Sequence, residues 1–165
     1  MRTRTTALTA TAALLVTGAC VTAAVATPGS GTTTTANTAS GRLDDSDGHR
    51  TLKVAQDGVT LMTREPTTVT TFDLTYPPGS FSGWHSHPGI VIAVVVSGKV
   101  VRQTPCAPPE TFGVDAGGTL VGSFTEVGPH HVSNPFDEPA VLSITRIYPT
   151  ADAATPRIDE PAPVC

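Results

Sequence analysis

The chain has 165 residues, a formal net charge of -4 and only 15% charged residues, so it lacks the clustered Lys and Arg of a nucleic-acid-binding surface. Aromatic residues make up 5% of the chain, while Gly and Pro contribute 15 residues each. Together with abundant Thr and Val, this composition favours a single domain of β-structure with many turns.

Residues 1–26 have the layout of a secretory signal peptide. A basic start precedes an apolar stretch and a small-residue site, and we predict cleavage after Ala26. An uncleaved membrane anchor and lipid attachment at Cys20 are the alternatives. The apolar stretch is only weakly hydrophobic, and Thr17 stands where a lipidation site carries an aliphatic residue. We therefore expect a secreted protein that keeps no membrane span after cleavage.

Residues 27–49 are rich in Thr, Gly, Ser and Asp and contain few apolar residues. Such a segment buries too little surface to offset the entropy of ordering it, which predicts a flexible linker, disordered at the N-terminal side of the fold. His49 is interpreted as a solvated linker residue. The folded domain is expected to span residues 50–149, followed by a tail over 150–165.

The domain begins with strand patterns. Residues 52–62 predict a hairpin that turns at Asp57-Gly58, with Val54, Val59 and Leu61 facing inward.

Further strands follow along the domain. In residues 67–76, the alternation places Thr70, Phe72 and Leu74 toward the core. Residues 89–98 form a continuous β-branched run, typical of a strand that is buried on both faces. The segments GKVVRQT, GTLVGSFTEV, HHVSN and AVLSITRIYP add strands, and no segment has a helical period. The sequence predicts an all-β fold, an antiparallel barrel or sandwich.

Two cysteines remain after the predicted cleavage. Cys106 lies in a Pro-rich loop and Cys165 ends the chain. Export favours one disulfide that ties the tail to this loop, and two free thiols are the alternative.

The segment around His85 and His87 resembles the first cupin motif, Gly-x5-His-x-His-x3-4-Glu-x6-Gly. Gly79, both histidines and Gly98 match it, while Val91 occupies the Glu position. The resemblance implies a single-domain jelly roll, similar to small exported bacterial cupins. Cupins often pair through sheet edges, so a homodimer is expected, although no residue specifies it.

The second cupin motif, Pro-x-Gly-x2-His-x3-Asn, is matched in part by His130 and Asn134, with its Pro and Gly displaced. Trp84, next to the first histidine, is expected to point away from the site. Asn134 is expected either to secure the turn or to orient a ligand.

The same histidines suit metal chemistry. Because residues i and i+2 of a strand face the same side, His85 and His87 can converge on one ion, and a histidine from another strand can complete the site. We favour His130 over His131, whose side chain points the opposite way in an extended segment. Three neutral imidazoles suit Zn, Fe, Cu, Ni or Co and leave the charge of the ion uncompensated. Glu126 is interpreted either as a base or ligand near the site or as an exposed turn residue.

Two classes of function remain open. One is a metal-dependent oxygenase, isomerase or hydrolase-like enzyme that acts on an unknown small molecule in the barrel. The other is a cupin without metal that binds a small ligand and catalyses nothing, a reading that the Val91 substitution keeps open.

Overall fold

The computed structural model describes residues 26–43, 52–114 and 122–165. These residues are almost entirely β-structure, which confirms the predicted fold class. The twelve strands are β1 Thr33–Leu43, β2 Leu52–Gln56, β3 Val59–Thr63, β4 Thr67–Tyr76, β5 His85–Ser86, β6 Ile90–Ser97, β7 Lys99–Gln103, β8 Glu110–Gly113, β9 Ser123–Glu126, β10 His131–Ser133, β11 Ala140–Pro149 and β12 Ile158–Asp159. A 3-10 turn at Thr150–Asp152 is the one helical element of this part of the chain. None of its helical structure is long and apolar enough to cross a membrane.

All strand pairs are antiparallel. The largest sheet has the order β1-β4-β11-β6-β9, and a three-stranded sheet has the order β10-β7-β8. Strands β5 and β12 form a small ribbon, and β2 and β3 form a separate hairpin. The ten-residue strands β4 and β11 pair along their whole length and form the centre of the large sheet.

The core lies between the two larger sheets. Side chains along β11 alternate strictly between buried and half-buried, as expected for a strand with one face on the core. Buried side chains from both sheets pack in one cluster, which includes Val91, Ala93, Val95, Val100, Phe124, Val132, Leu142 and Ile144.

Strand β6 differs from its prediction. The sequence indicated burial on both faces, but the structure buries only every second residue, and Ile90 and Val96 are 45% and 57% exposed. The β-branched run reflects strand propensity here rather than two covered faces, because such side chains also favour half-buried pleated surfaces.

The hairpin of β2 and β3 turns at Asp57-Gly58 as predicted, with both residues at positive φ (50° and 84°). Its predicted inward residues are wrong, since Val54 and Val59 are 51% and 72% exposed. Within the described chain, no element named in the sheet order pairs with this hairpin. A turn signal is local, whereas burial depends on what packs against the strands.

Part of the predicted flexible linker is ordered. Strand β1, residues Thr33–Leu43, pairs with the edge of β4, so this part of the linker prediction is wrong. Backbone hydrogen bonds and the β propensity of Thr stabilise a strand that buries little apolar surface. The predictions for the signal peptide, Cys20 and His49 lie outside the described residues, except that Ala26 forms a β-bridge with Pro161.

The predicted disulfide is present. Cys106 and Cys165 are bonded across 59 residues of sequence, with their Cα atoms 5.5 Å apart. The bond ties the C-terminal tail to the loop between β7 and β8.

Candidate metal centre

Backbone pairing brings two of the predicted histidines together. His85 and His130 form an isolated antiparallel bridge in which each N–H donates to the carbonyl of the other residue, at 3.0 and 2.9 Å. Directly opposed residues of an antiparallel pair place their side chains on the same face. The ring centroids of these two histidines are 4.2 Å apart.

The third ring comes from the same extended segment as His85. His87 lies two residues later, and its ring centroid is 4.7 Å from that of His85 and 5.3 Å from that of His130. The structure therefore brings together all three histidines that the sequence predicted as ligands.

A carboxylate completes the cluster. Glu126 ends β9 and is only 8% exposed, and its partner across the ladder with β6 is Val91. Cross-strand partners project from the same face of a sheet. The acidic side chain expected at position 91 of the motif is thus replaced by one from the neighbouring strand. The expectation of an all-histidine site is revised accordingly.

The donor atoms face one another at short range. His85 Nε2 and His130 Nε2 are 3.1 Å apart, and Glu126 Oε2 lies 3.2 Å from His130 Nε2 and 3.6 Å from His87 Nε2. One donor atom from each of the four residues lies within 4.8 Å of the others. Two donors bound at right angles to one ion, each about 2.1 Å away, are about 3.0 Å apart, so the cluster has the size of a coordination sphere.

Backbone carbonyls fix how these rings are protonated. Nδ1 of His85 lies 2.9 Å from the carbonyl of Gly83, and Nδ1 of His130 lies 2.8 Å from that of Gly128. Nδ1 of His87 lies 2.8 Å from the carbonyl of Pro156. A carbonyl can only accept, so each Nδ1 carries the proton and each Nε2 presents a lone pair to the cluster.

Burial keeps the rings neutral. It lowers the pKa of His85 to about 3, and the nearby His130 ring lowers it further, while the Gly83 carbonyl opposes the shift. Burial also lowers the pKa of His87, against the opposing effects of the Pro156 carbonyl and of Glu126. Neutral imidazoles with outward lone pairs are the form that binds metal.

The neighbouring residues resolve the alternatives left by the sequence. The ring of His131 lies outside the cluster, 5.8 Å from the ring of Trp84 and 6.0 Å from that of Phe81. Asn134 is fully buried and secures the turn after β10: its Nδ2 donates to the carbonyls of Tyr76 and Glu138, and its Oδ1 accepts from the Phe136 N–H.

The cluster opens into a cavity of about 390 Å³ in the barrel. His85, His87 and Glu126 lie in its wall beside polar side chains of Tyr76, Arg146 and Arg157. The apolar wall consists of Phe72, Leu74, Val91, Leu142 and Ile144. A volume of this size accommodates a small organic molecule.

Comparisons with known proteins give structural similarity only. No family model matches the sequence, and no curated protein matches it. A cupin-like protein from Thermotoga maritima MSB8 is 17% identical over 78% of this chain and 80% of its own, with a TM-score of 0.44. A Cupin 2 conserved barrel domain protein from Salinispora arenicola is 18% identical over 70% and 78%, with a TM-score of 0.40.

The DMSP lyase DddQ from Ruegeria pomeroyi is 16% identical over 72% of this chain and 56% of its own, with a TM-score of 0.45. At this level of identity the similarity says nothing about the activity of this chain.

Proposed function

We propose that this chain is an exported cupin-type protein that binds one divalent transition metal and acts on a small molecule in the adjoining cavity. The ligands are His85, His87, His130 and Glu126. The supporting observation is the convergence of three Nε2 lone pairs and one carboxylate oxygen, with every Nδ1 held by a backbone carbonyl.

The donor set fits a metal ion better than a metal-free network. Two Nε2 lone pairs at 3.1 Å repel each other unless a cation lies between them or one ring carries a second proton. Imidazole donors suit Zn, Fe, Co, Ni and Cu. The Glu126 carboxylate adds the oxygen donor that Mn²⁺ prefers, so the argument against Mn²⁺ from an all-histidine site no longer applies.

The ion would supply Lewis acidity toward an oxygen of the bound molecule and, with iron or copper, redox chemistry. The residues supply the setting: three neutral rings and one carboxylate give the site a net charge of +1 with a divalent ion. Such a site favours an anionic ligand. An oxygenase or isomerase fits this arrangement, with a redox metal favouring the oxygenase.

Export is part of the proposal. It rests on the leader-like sequence of residues 1–26 and on the Cys106–Cys165 disulfide, a bond typical of oxidising compartments.

The metal content of the purified protein tests the proposal. We expect one equivalent of transition metal per chain in the wild type and loss of at least nine-tenths of it in His85→Ala and His130→Ala. Glu126→Gln should weaken binding 10- to 100-fold, because it removes the one charged donor. His131→Ala is the matched control, since this ring lies outside the cluster, and it should keep the full metal content.

Trace metal in all variants and in the wild type would overturn the proposal and favour the metal-free ligand-binding module. Equal loss in His131→Ala and His130→Ala would also contradict it, since a general folding defect would then explain both.

A further inference from the structure

Arg146 is a buried cation for which the described chain provides no counterion. Its side chain occupies an inward position of β11, in line with Leu142 and Ile144, and only 8% of the residue is exposed. Its Nε and Nη2 atoms are buried without a hydrogen-bond partner. A buried, unpaired charge is costly, and proteins rarely retain one without a use.

The strand register places Arg146 in one cross-strand row with the metal cluster. Arg146 of β11 pairs with Val91 of β6, and Val91 pairs with Glu126 of β9. On the other side of the row, Arg146 pairs with Thr70 of β4. Neighbouring strands are about 4.8 Å apart, so the guanidinium begins two strands away from the cluster carboxylate. Neither Thr70 nor Val91 can neutralise it.

This row gives Val91 a physical meaning. A glutamate at position 91, as the motif has it, would lie directly opposite Arg146 and within reach of an ion pair. With the carboxylate on β9 instead, Glu126 contacts His87 and His130. Moving the acid by one strand therefore preserves the donor set and leaves the guanidinium without a protein counterion.

The other cation in the cavity wall is already engaged. Arg157 donates from Nε to Asp159 and from Nη2 to the carbonyl of Ser82, both at 2.6 Å. Arg146 contacts only an aromatic face among the printed interactions of the described chain, with its Cζ 4.6 Å from the Tyr148 ring centroid. Such stacking holds a guanidinium in place and leaves its N–H groups available.

We propose that Arg146 binds the carboxylate of a small organic acid in the 390 Å³ cavity, while an oxygen of the same molecule reaches the metal site. Guanidinium matches carboxylate geometry with two parallel hydrogen bonds. The apolar wall accommodates the hydrocarbon part of the acid. This inference rests on the proposed metal site and names the substrate class of that site.

The test uses Co²⁺-loaded protein and the 2-, 3- and 4-hydroxybutyrates, each compared with its amide. These acids share one composition and differ in the distance between carboxylate and hydroxyl. Binding is measured by calorimetry and by the Co²⁺ absorption spectrum. We expect at least one acid to bind at least tenfold more tightly than its amide, because the amide lacks the charge that pairs with Arg146.

Arg146→Gln should abolish this preference and leave Co²⁺ affinity within threefold of the wild type, and Arg146→Lys should retain part of it. Arg64→Gln, at an exposed arginine outside the cavity, is the matched control and should bind as the wild type does. Val91→Glu should also remove the preference, because the new carboxylate pairs with Arg146. The unfolding temperature of Arg146→Gln should not fall, since the variant removes a buried unpaired charge.

Failures of the two proposals are distinguishable. A wild-type protein that binds no Co²⁺ contradicts the metal site. A protein that binds Co²⁺ but prefers none of the acids to its amide overturns the role of Arg146, as does an unchanged preference in Arg146→Gln. A large loss of stability in that variant would assign the guanidinium a structural role instead.

Discussion

Two histidines of the cluster are oriented by the same local device. His85 and His130 each donate from Nδ1 to the carbonyl of the glycine two residues earlier, Gly83 and Gly128. Both glycines have positive φ, 70° and 75°. The left-handed backbone turns the carbonyl back toward the ring, a conformation that costs other residues about 1–2 kcal/mol.

The surroundings of the two glycines differ and give a matched pair of variants. A Cβ at Gly83 would collide with the backbone of Thr27, Pro28 and Gly29, whereas one at Gly128 would meet nothing. We expect Gly128→Ala to lower the free energy of unfolding by about 1–2 kcal/mol, the cost of the left-handed conformation alone. Gly83→Ala should cost more, about 3 kcal/mol or above. Urea unfolding of the metal-free proteins measures both, and equal costs would contradict the close packing at Gly83.

The buried imidazole of His85 also predicts how pH affects the metal-free protein. Its pKa of about 3, set by burial and then by the nearby His130, lies below the unfolded value of about 6.5. Between these values the unfolded chain binds the proton and the folded chain does not. Stability is therefore complete above pH 6.5 and falls with decreasing pH, by up to about 1.4 kcal/mol per pH unit.

Urea unfolding in a chelator at pH 7.5, 6.5, 5.5 and 4.5 checks this slope. His85→Gln, which has no ionisable ring, should show a smaller slope than the wild type. An identical slope in the variant would show that the ring at position 85 does not contribute.

At the scale of single strands, the sequence predicts what local spacing determines. The His-x-His pair and the spacing from His130 to Asn134 are readable because each lies within one short segment. The hairpin turn at Asp57-Gly58 is readable for the same reason. Exposure of the hairpin is not readable, because it depends on the absence of a packing partner rather than on its own residues.

The place of Glu126 depends on register. It faces the cluster because β9 pairs with β6 so that position 126 lies opposite position 91. More than thirty residues separate the two strands, and no local pattern fixes their alignment. The inward position of Arg146 was available from the alternation of AVLSITRIYP, in which Ala140, Leu142, Ile144 and Tyr148 are the other buried residues. A charge in such a row is the signal that the sequence interpretation missed.

At the scale of the whole molecule, the C-terminal tail is part of the site. Strand β12 pairs with β5, the strand that carries His85, and Ser86 Oγ donates to Glu160 at 2.7 Å. The carbonyl of Pro156 receives the Nδ1 proton of His87. The tail thus supports one histidine from the backbone side and another through its hydrogen bond.

The disulfide holds this tail in place, and its removal should affect both stability and metal binding. Closing a loop of 59 residues stabilises a fold by about 4 kcal/mol in the chain-entropy model. We expect the double variant Cys106→Ser and Cys165→Ser to lose about 2–4 kcal/mol in urea unfolding and to bind metal about tenfold more weakly. Unchanged affinity in a folded double variant would show that the tail orients His87 without the bond.

Because the carbonyl behind His87 belongs to a segment anchored by cystine, thiol oxidation and cation uptake are coupled in this protein. The reduced chain, as it leaves the ribosome, holds a less well organised set of donors than the oxidised one. The choice of metal is thereby deferred until oxidation, and it is governed by the ions available in the compartment where the cysteines pair rather than where the chain is synthesised.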